Sequence, residues 1–280
     1  MPTFPAPAPV VLAVDVPVAA LHVVAGERDD VVVTVLPADP SSSGSRRAAA
    51  EVRVQHDDGT VTVDWPGAWK QYLLPFSAGT ASVTVELPEG SDVRGKAGSV
   101  LTEGRLGAVE LALSAGDARV DEAHRVDLRA AAGTVVLRRV TGPVAVRASA
   151  GSVRLADVAG EGTVRASNGT TTVDAVTGTL QVVGAHGDIA VGRVTGTLTA
   201  RSAHAGIRVE RVESGSVDLS TSYGSIEVGV PHGTAAWLDV ASQHGAVRNQ
   251  LTPAAGPVED EATAEVHAST GYGDVVVRRP

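Results

Sequence analysis

The chain has 280 residues; 31 are Gly, 48 are Val, only 3% are aromatic, and the net charge is −9. Without Cys it supports neither a disulfide framework nor a thiolate metal site. No apolar run reaches the ~20 residues that cross a bilayer, and the acidic balance speaks against nucleic-acid binding, which uses a basic face.

The first nine residues have no basic n-region of the kind that opens a signal peptide, so the sequence predicts a cytoplasmic protein. Strand-like runs occupy residues 10–16, 21–25, 31–36, 51–55, 60–65 and 81–87, with turns at 26–30 and 57–59. The Pro- and Ser-rich stretch 38–47 reads as a mobile loop. Residues 1–96 together read as an irregular N-terminal β cap, continuous with the rest of the chain.

Trp65, Trp69, Tyr72 and Phe76 are four of the eight aromatic residues and lie within twelve positions. Their spacings of 4, 3 and 4 suit one face of a short turn. They read either as a plug packed over the cap or as an exposed patch for a partner. Lys70 alone supplies positive charge there, so a protein partner suits the patch better than a membrane surface.

From residue 98 onward the chain repeats. Glycines recur at 98, 116, 133, 151, 169 and 187, a period of about 18. Two residues after each anchor stand Val135, Val153, Thr171, Ile189, Ile207 and Ile226. Four after stand Leu137, Leu155, Val173, Val191, Val209 and Val228. A second glycine, at 142, 160, 178 and 196, restarts the alternation. Apolar residues two apart share one face of a strand, so each period holds two short strands separated by glycine corners. Such strands pair with their equivalents one period on, in parallel and in register. The fold class is therefore all-β, a parallel β-solenoid over 97–280 with about 18 residues per coil. The apolar spacing excludes a hexapeptide helix, and the missing GGxGxD units exclude a calcium-binding roll. An acidic insertion over 251–265 breaks the period, and a closing strand ending in Arg278 and Arg279 protects the last edge.

The unit ASAGSVRLADVAG at 148–160, with VELPEG at 85–90, AWLDV at 236–240, GAVRN at 245–249 and GDVVVR at 273–278, resembles the bacterial, and in these details actinobacterial, "putative adhesin" β-strand-repeat family of unknown function. The resemblance covers nearly the whole chain. It implies a surface role and brings no catalytic residues.

In-register stacking also lines up the residue before each anchor: Asn168, His186, His204, Tyr223, His244 and Tyr272. His186 and His204, one rung apart, are candidate metal ligands, although a column of planar side chains also stacks for structural reasons alone. Asp, Ser and His residues are scattered without a nucleophile-elbow motif. The reading is a non-enzymatic scaffold or protein-interaction module without a cofactor, with self-association or a protein partner expected. The alternatives are a carbohydrate-active or metal-dependent enzyme built on the histidine edge, and a cell-surface adhesin.

Overall fold

Period-two alternation turns nearly every segment of this chain into a strand with one buried and one solvated face. The computed structural model describes residues 2–68, 79–252, 256 and 261–280. The chain divides into two compact units, Met1–Arg139 and Val140–Pro280.

The first unit holds β1 (Thr3–Pro5), β2 (Val11–Gly26), β3 (Asp30–Pro37), α1 (Ser43–Glu51), β4 (Arg53–Asp57), β5 (Thr60–Asp64), β6 (Ala81–Pro88), β7 (Asp92–Glu103), β8 (Arg105–Leu113), β9 (Ala118–Ala132) and β10 (Val135–Val140). Parallel stacking is already present at β2, which pairs with β7 along both halves of its length. A register shift between Val16 and Ala20 marks the corner at Pro17. Leu12, Val14, Val16, Ala19, Leu21, Val23 and Ala25 point inward from this strand. The irregular part consists of the antiparallel pairs β1–β3, β3–β6 and β4–β5.

The stretch expected as a mobile loop contains α1 instead. The Ser42 side chain caps it by accepting from the Ser45 amide, and Asp39 accepts from the amide and hydroxyl of Ser41. The Ala48–Ala50 run favours helix, and Ala48 is buried. Here local capping prevailed over the loop signal of Pro40 and the serines.

The second unit is the regular solenoid. It comprises β11 (Val144–Ala150), β12 (Val153–Val158), β13 (Glu161–Asn168), β14 (Thr171–Val176), β15 (Thr179–His186), β16 (Ile189–Val194), β17 (Thr197–Ser202), β18 (Ile207–Val212), β19 (Gly215–Tyr223), β20 (Ile226–Gly229), β21 (Thr234–His244), β22 (Val247–Asn249), β23 (Ala262–Tyr272) and β24 (Val275–Arg278). The expected in-register parallel pairing is observed. Val153 faces Thr171, Thr171 faces Ile189, and Ile189 faces Ile207. On the other strand column Val146 faces Val164, then Val182, then Ala200. The core is a slim double row of Val, Leu, Ile and Ala. Corner glycines set its pitch. Gly169 has φ +129°, and a Cβ there would lie 2.0 Å from the carbonyl oxygen of Gly151 on the previous coil.

The order of the last coils departs from the sequence-based expectation. β23 pairs with β19 on one side and β21 on the other, and β24 likewise lies between β20 and β22. The expected closing strand is therefore internal, and the coil at 234–249 forms the end. Burial explains the exchange. Val266, Ala268, Val275 and Val277 complete the inner columns and are buried, whereas the 234–249 coil offers the thinner apolar set Ala236, Leu238 and Val240 and stays half-exposed. Arg278 and Arg279, expected to guard an edge, lock the inserted coil. Arg278 Nε donates to Glu227 Oε1 at 2.5 Å, and Arg208 grips the other oxygen of the same carboxylate. Arg279 Nη1 donates to the carbonyls of Val230 (3.1 Å) and Pro231.

Gly169→Ala combines a positive-φ penalty with a backbone clash, and the loss of stability to chemical denaturation is expected to be roughly 2–4 kcal/mol. Glu227, with Arg278 and then Arg208 as partners, is held below the ordinary carboxylate range. Its contribution is thus present above the unfolded pKa and lost as pH falls through the folded one. Glu227→Gln is expected to lower the melting temperature at pH 7, and the difference from wild type is expected to shrink under acid titration.

Candidate functional site

Register alone assembles an aromatic column on one corner of the second unit. Rungs in a parallel stack are ~4.8 Å apart, which suits offset ring stacking. His186 and His204 stack at 5.0 Å between centroids with planes 17° apart. His204 and Tyr223 come next at 5.1 Å, and Tyr223 and Tyr272 at 5.0 Å and 4°. His244 closes the column on Tyr272 at 4.5 Å. Asn168 is the register partner of His186 on the preceding rung. The column was legible in the sequence, but its order was not: Tyr272 lies between Tyr223 and His244 because the last coils are exchanged. The ring edges face solvent, with Tyr223 and Tyr272 about half exposed (52% and 50%).

Beneath the rings runs a hydroxyl column that sequence reasoning missed. Thr221 Oγ1 donates to the Ala205 carbonyl at 2.9 Å, Thr270 Oγ1 to Gly224 at 2.8 Å, and Ser242 Oγ to Gly273 at 2.8 Å. Each hydroxyl stands three residues before its own anchor position and clasps the anchor of the neighbouring coil. That spacing was the available signal.

The stack bears on the metal reading of His186 and His204. Two imidazoles on one zinc ion approach it to about 2.0–2.1 Å each, so the rings must converge. Here they lie face to face a full rung apart. Among the described residues no group of three or more His, Asp or Glu is arranged to hold a metal ion.

Of the aromatic cluster proposed for a partner, Trp65 is 3% exposed and its indole donates to Glu51 Oε2 at 3.2 Å. It is a packing anchor of the first unit and does not belong to an exposed patch. Trp69, Tyr72 and Phe76 lie outside the described residues.

A second constellation was not anticipated. On the outer face of the end coil Trp237 is 57% exposed, and its ring lies 5.0 Å from that of His267, tilted by 59°. His267 Nε2 lies 3.1 Å from Glu265 Oε1, and Nδ1 lies 3.5 Å from Asp239 Oδ2. His267 and Asp239 are register partners on β23 and β21. Glu265 first, then Asp239, raises the His267 pKa above the ordinary histidine value. The pair joins the end coil to its neighbour.

A family model described as Toastrack DUF4097 matches residues 12–278. No curated protein matches the chain. Among solved structures the chain is similar to a "putative cell adhesion protein" of Clostridium sporogenes ATCC 15579, at 13% identity over 98% of this chain and 94% of that one, with a TM-score of 0.27. It is also similar to a "putative adhesin" of Parabacteroides distasonis ATCC 8503, at 10% identity over 98% and 95%, with a TM-score of 0.36. A third, from Bacteroides fragilis NCTC 9343, has 12% identity over 100% and 95%, with a TM-score of 0.33. Among the described residues no helix is long and apolar enough to cross a membrane.

Because its folded pKa is raised, the bond of His267 stabilises below the unfolded pKa and is lost as pH rises through the folded one. Amide exchange over 234–244 is expected to quicken between about pH 6 and 8 beyond the intrinsic base-catalysed increase. His267→Ala is expected to remove that excess.

Proposed function

The chain belongs to the Toastrack DUF4097 family, and we propose that it serves as a non-enzymatic interaction scaffold whose docking surface is the aromatic column of the second unit. The observation that carries the reading is the column itself: five exposed rings held in line across successive rungs, from His186 to His244. Tyrosine and histidine combine an apolar body with a polar tip, which is why such rings serve at protein interfaces. Their backbone is fixed by inter-rung hydrogen bonds, such as His204 N to the Ala185 carbonyl (2.9 Å) and Tyr223 N to the Ala203 carbonyl (3.0 Å). A partner therefore meets a surface that is already ordered, and association costs little side-chain or backbone entropy on this side. The stacked faces are used by the neighbouring rings, so recognition falls to the ring edges: imidazole nitrogens and phenol hydroxyls repeated one rung apart.

The test is site-specific photocrosslinking in cells that produce the protein. A crosslinking residue at Tyr223 or Tyr272 is expected to yield a discrete adduct, and one at exposed Arg154 is not. Equal adducts from all three positions, or none, would remove the column as a docking surface. Metal analysis of the purified protein separates the enzymatic alternative: stoichiometric zinc that disappears in His186→Ala would favour a metal site over a docking column.

A further inference from the structure

The exchange of the last two coils leaves β21, an eleven-residue strand, at the end of the stack. One edge of β21 pairs with β23; among the described residues the other has no strand partner. Natural edge strands are usually short, or carry Lys or Pro that block further pairing. β21 is long, and TAAWLDVASQH contains neither residue. Its inner row, Ala236, Leu238 and Val240, is only half-buried, and Val247 on β22 is 44% exposed. Among the described residues the last rung therefore shows an unpaired strand edge and a half-buried inner row, flanked by Leu251, Thr252 and Gly256.

The outer row of the same rung carries the opposite chemistry. Trp237 is exposed, and beside it the Asp239 carboxylate is 68% and the Glu265 carboxylate 54% exposed, although both touch His267. Over residues 234–267 the sequence holds five acidic residues (Asp239, Glu259, Asp260, Glu261 and Glu265) against Arg248 as the one Lys or Arg. This short stretch thus supplies a large part of the chain's net charge of −9. A second copy of this chain would bring the same negative outer row to the edge.

We infer that β21 docks an extended partner segment that alternates aliphatic and basic side chains, adding one more rung by β-augmentation. Its backbone pairs with the open edge. Its aliphatic residues continue the inner row over Ala236, Leu238 and Val240. Its basic residues, pointing the other way by the period of a strand, lie over the Trp237 ring and beside Asp239, combining cation–π attraction with ion pairing, and the Glu265 carboxylate, one rung further in behind Trp237, adds to the negative field. An acidic alternating strand would meet these carboxylates with like charge, and an all-polar one would leave the inner row uncovered. This surface deepens the interaction-scaffold reading and rests on it, but it lies on the end rung and is separable from the ring column.

The probe is an acetylated, amidated, fluorescent peptide alternating valine and arginine, titrated against the full chain by anisotropy. Two control peptides replace arginine with glutamate or with threonine. Binding of the arginine peptide at least about tenfold tighter than either control is expected, weakening with added salt as ion pairs are screened. Trp237→Ala and Asp239→Asn are each expected to weaken it several-fold. Asp239→Lys is expected to narrow or reverse the preference for the arginine over the glutamate peptide. Both side chains are exposed, so an unchanged circular dichroism spectrum and at most a small fall in melting temperature from the lost His267 contacts are expected to accompany these losses. Equal affinity for the three peptides, no binding, or binding unaffected by all three substitutions would overturn the inference. A concentration-dependent dimer abolished by Trp237→Ala would overturn it too, by assigning the edge to a second copy. If the peptides fail while crosslinks at Tyr223 and Tyr272 persist, the end rung is wrong and the scaffold reading stands. If both fail, the scaffold reading falls as well.

Discussion

The approach of one backbone to another at the glycine corners is the constraint on which the second unit depends. Gly169 and Gly187 turn with positive φ directly against the carbonyl of the preceding corner glycine, where a Cβ would lie 2.0 and 2.3 Å from the oxygen. Only at that distance do successive coils keep the rung spacing of a parallel sheet. Register then carries everything above it. The same step that brings Val153 opposite Thr171 brings Asn168 opposite His186. The inner columns, the hydroxyl clasps and the ring stack are consequences of one repeated backbone contact.

A narrow interior results from that spacing, and it accounts for the composition. Two facing rows of Val, Leu, Ile and Ala fill the space between the strand columns, with little need for large aromatic side chains. The described aromatic residues lie apart from the inner columns of the second unit. Trp65 anchors the Glu51 end of α1 in the first unit, Tyr223 and Tyr272 line the corner, and Trp237 stands on the terminal rung. A solenoid core gains stability by repetition between neighbours, so its outer faces are free to vary in chemistry without disturbing it.

The terminal exchange shows how burial overrides chain order. A coil that completes the apolar columns belongs inside the stack, and a coil rich in polar residues tolerates the end. The long connection after β22 lets the chain return and satisfy this preference. Arg278 and Arg279 then bind Glu227 and the carbonyls of the 230–231 turn, so the inserted coil is held by charge as well as by packing. The result is an end rung that offers Trp237, Asp239 and, among the described residues, an unpaired strand edge, next to a column of rings one corner away.

By itself the sequence determined the all-β solenoid, its 18-residue coil, the inner columns and the membership of the ring column, because each depends on a spacing that repeats along the chain. The helix at Ser43–Glu51 was readable in principle from Ser42 and the Ala48–Ala50 run, but proline and serine obscured it. Tertiary structure alone decided the order of the last coils, the burial of Trp65 and the meeting of His267 with Asp239 and Glu265. Those last partners do not obey the 18-residue step: His267 faces Asp239, 28 positions earlier, because β23 lies between β19 and β21. Periodicity reports which residues share a column. Where the period breaks, competition between coils for burial decides the neighbours, and that competition is settled only in the folded stack.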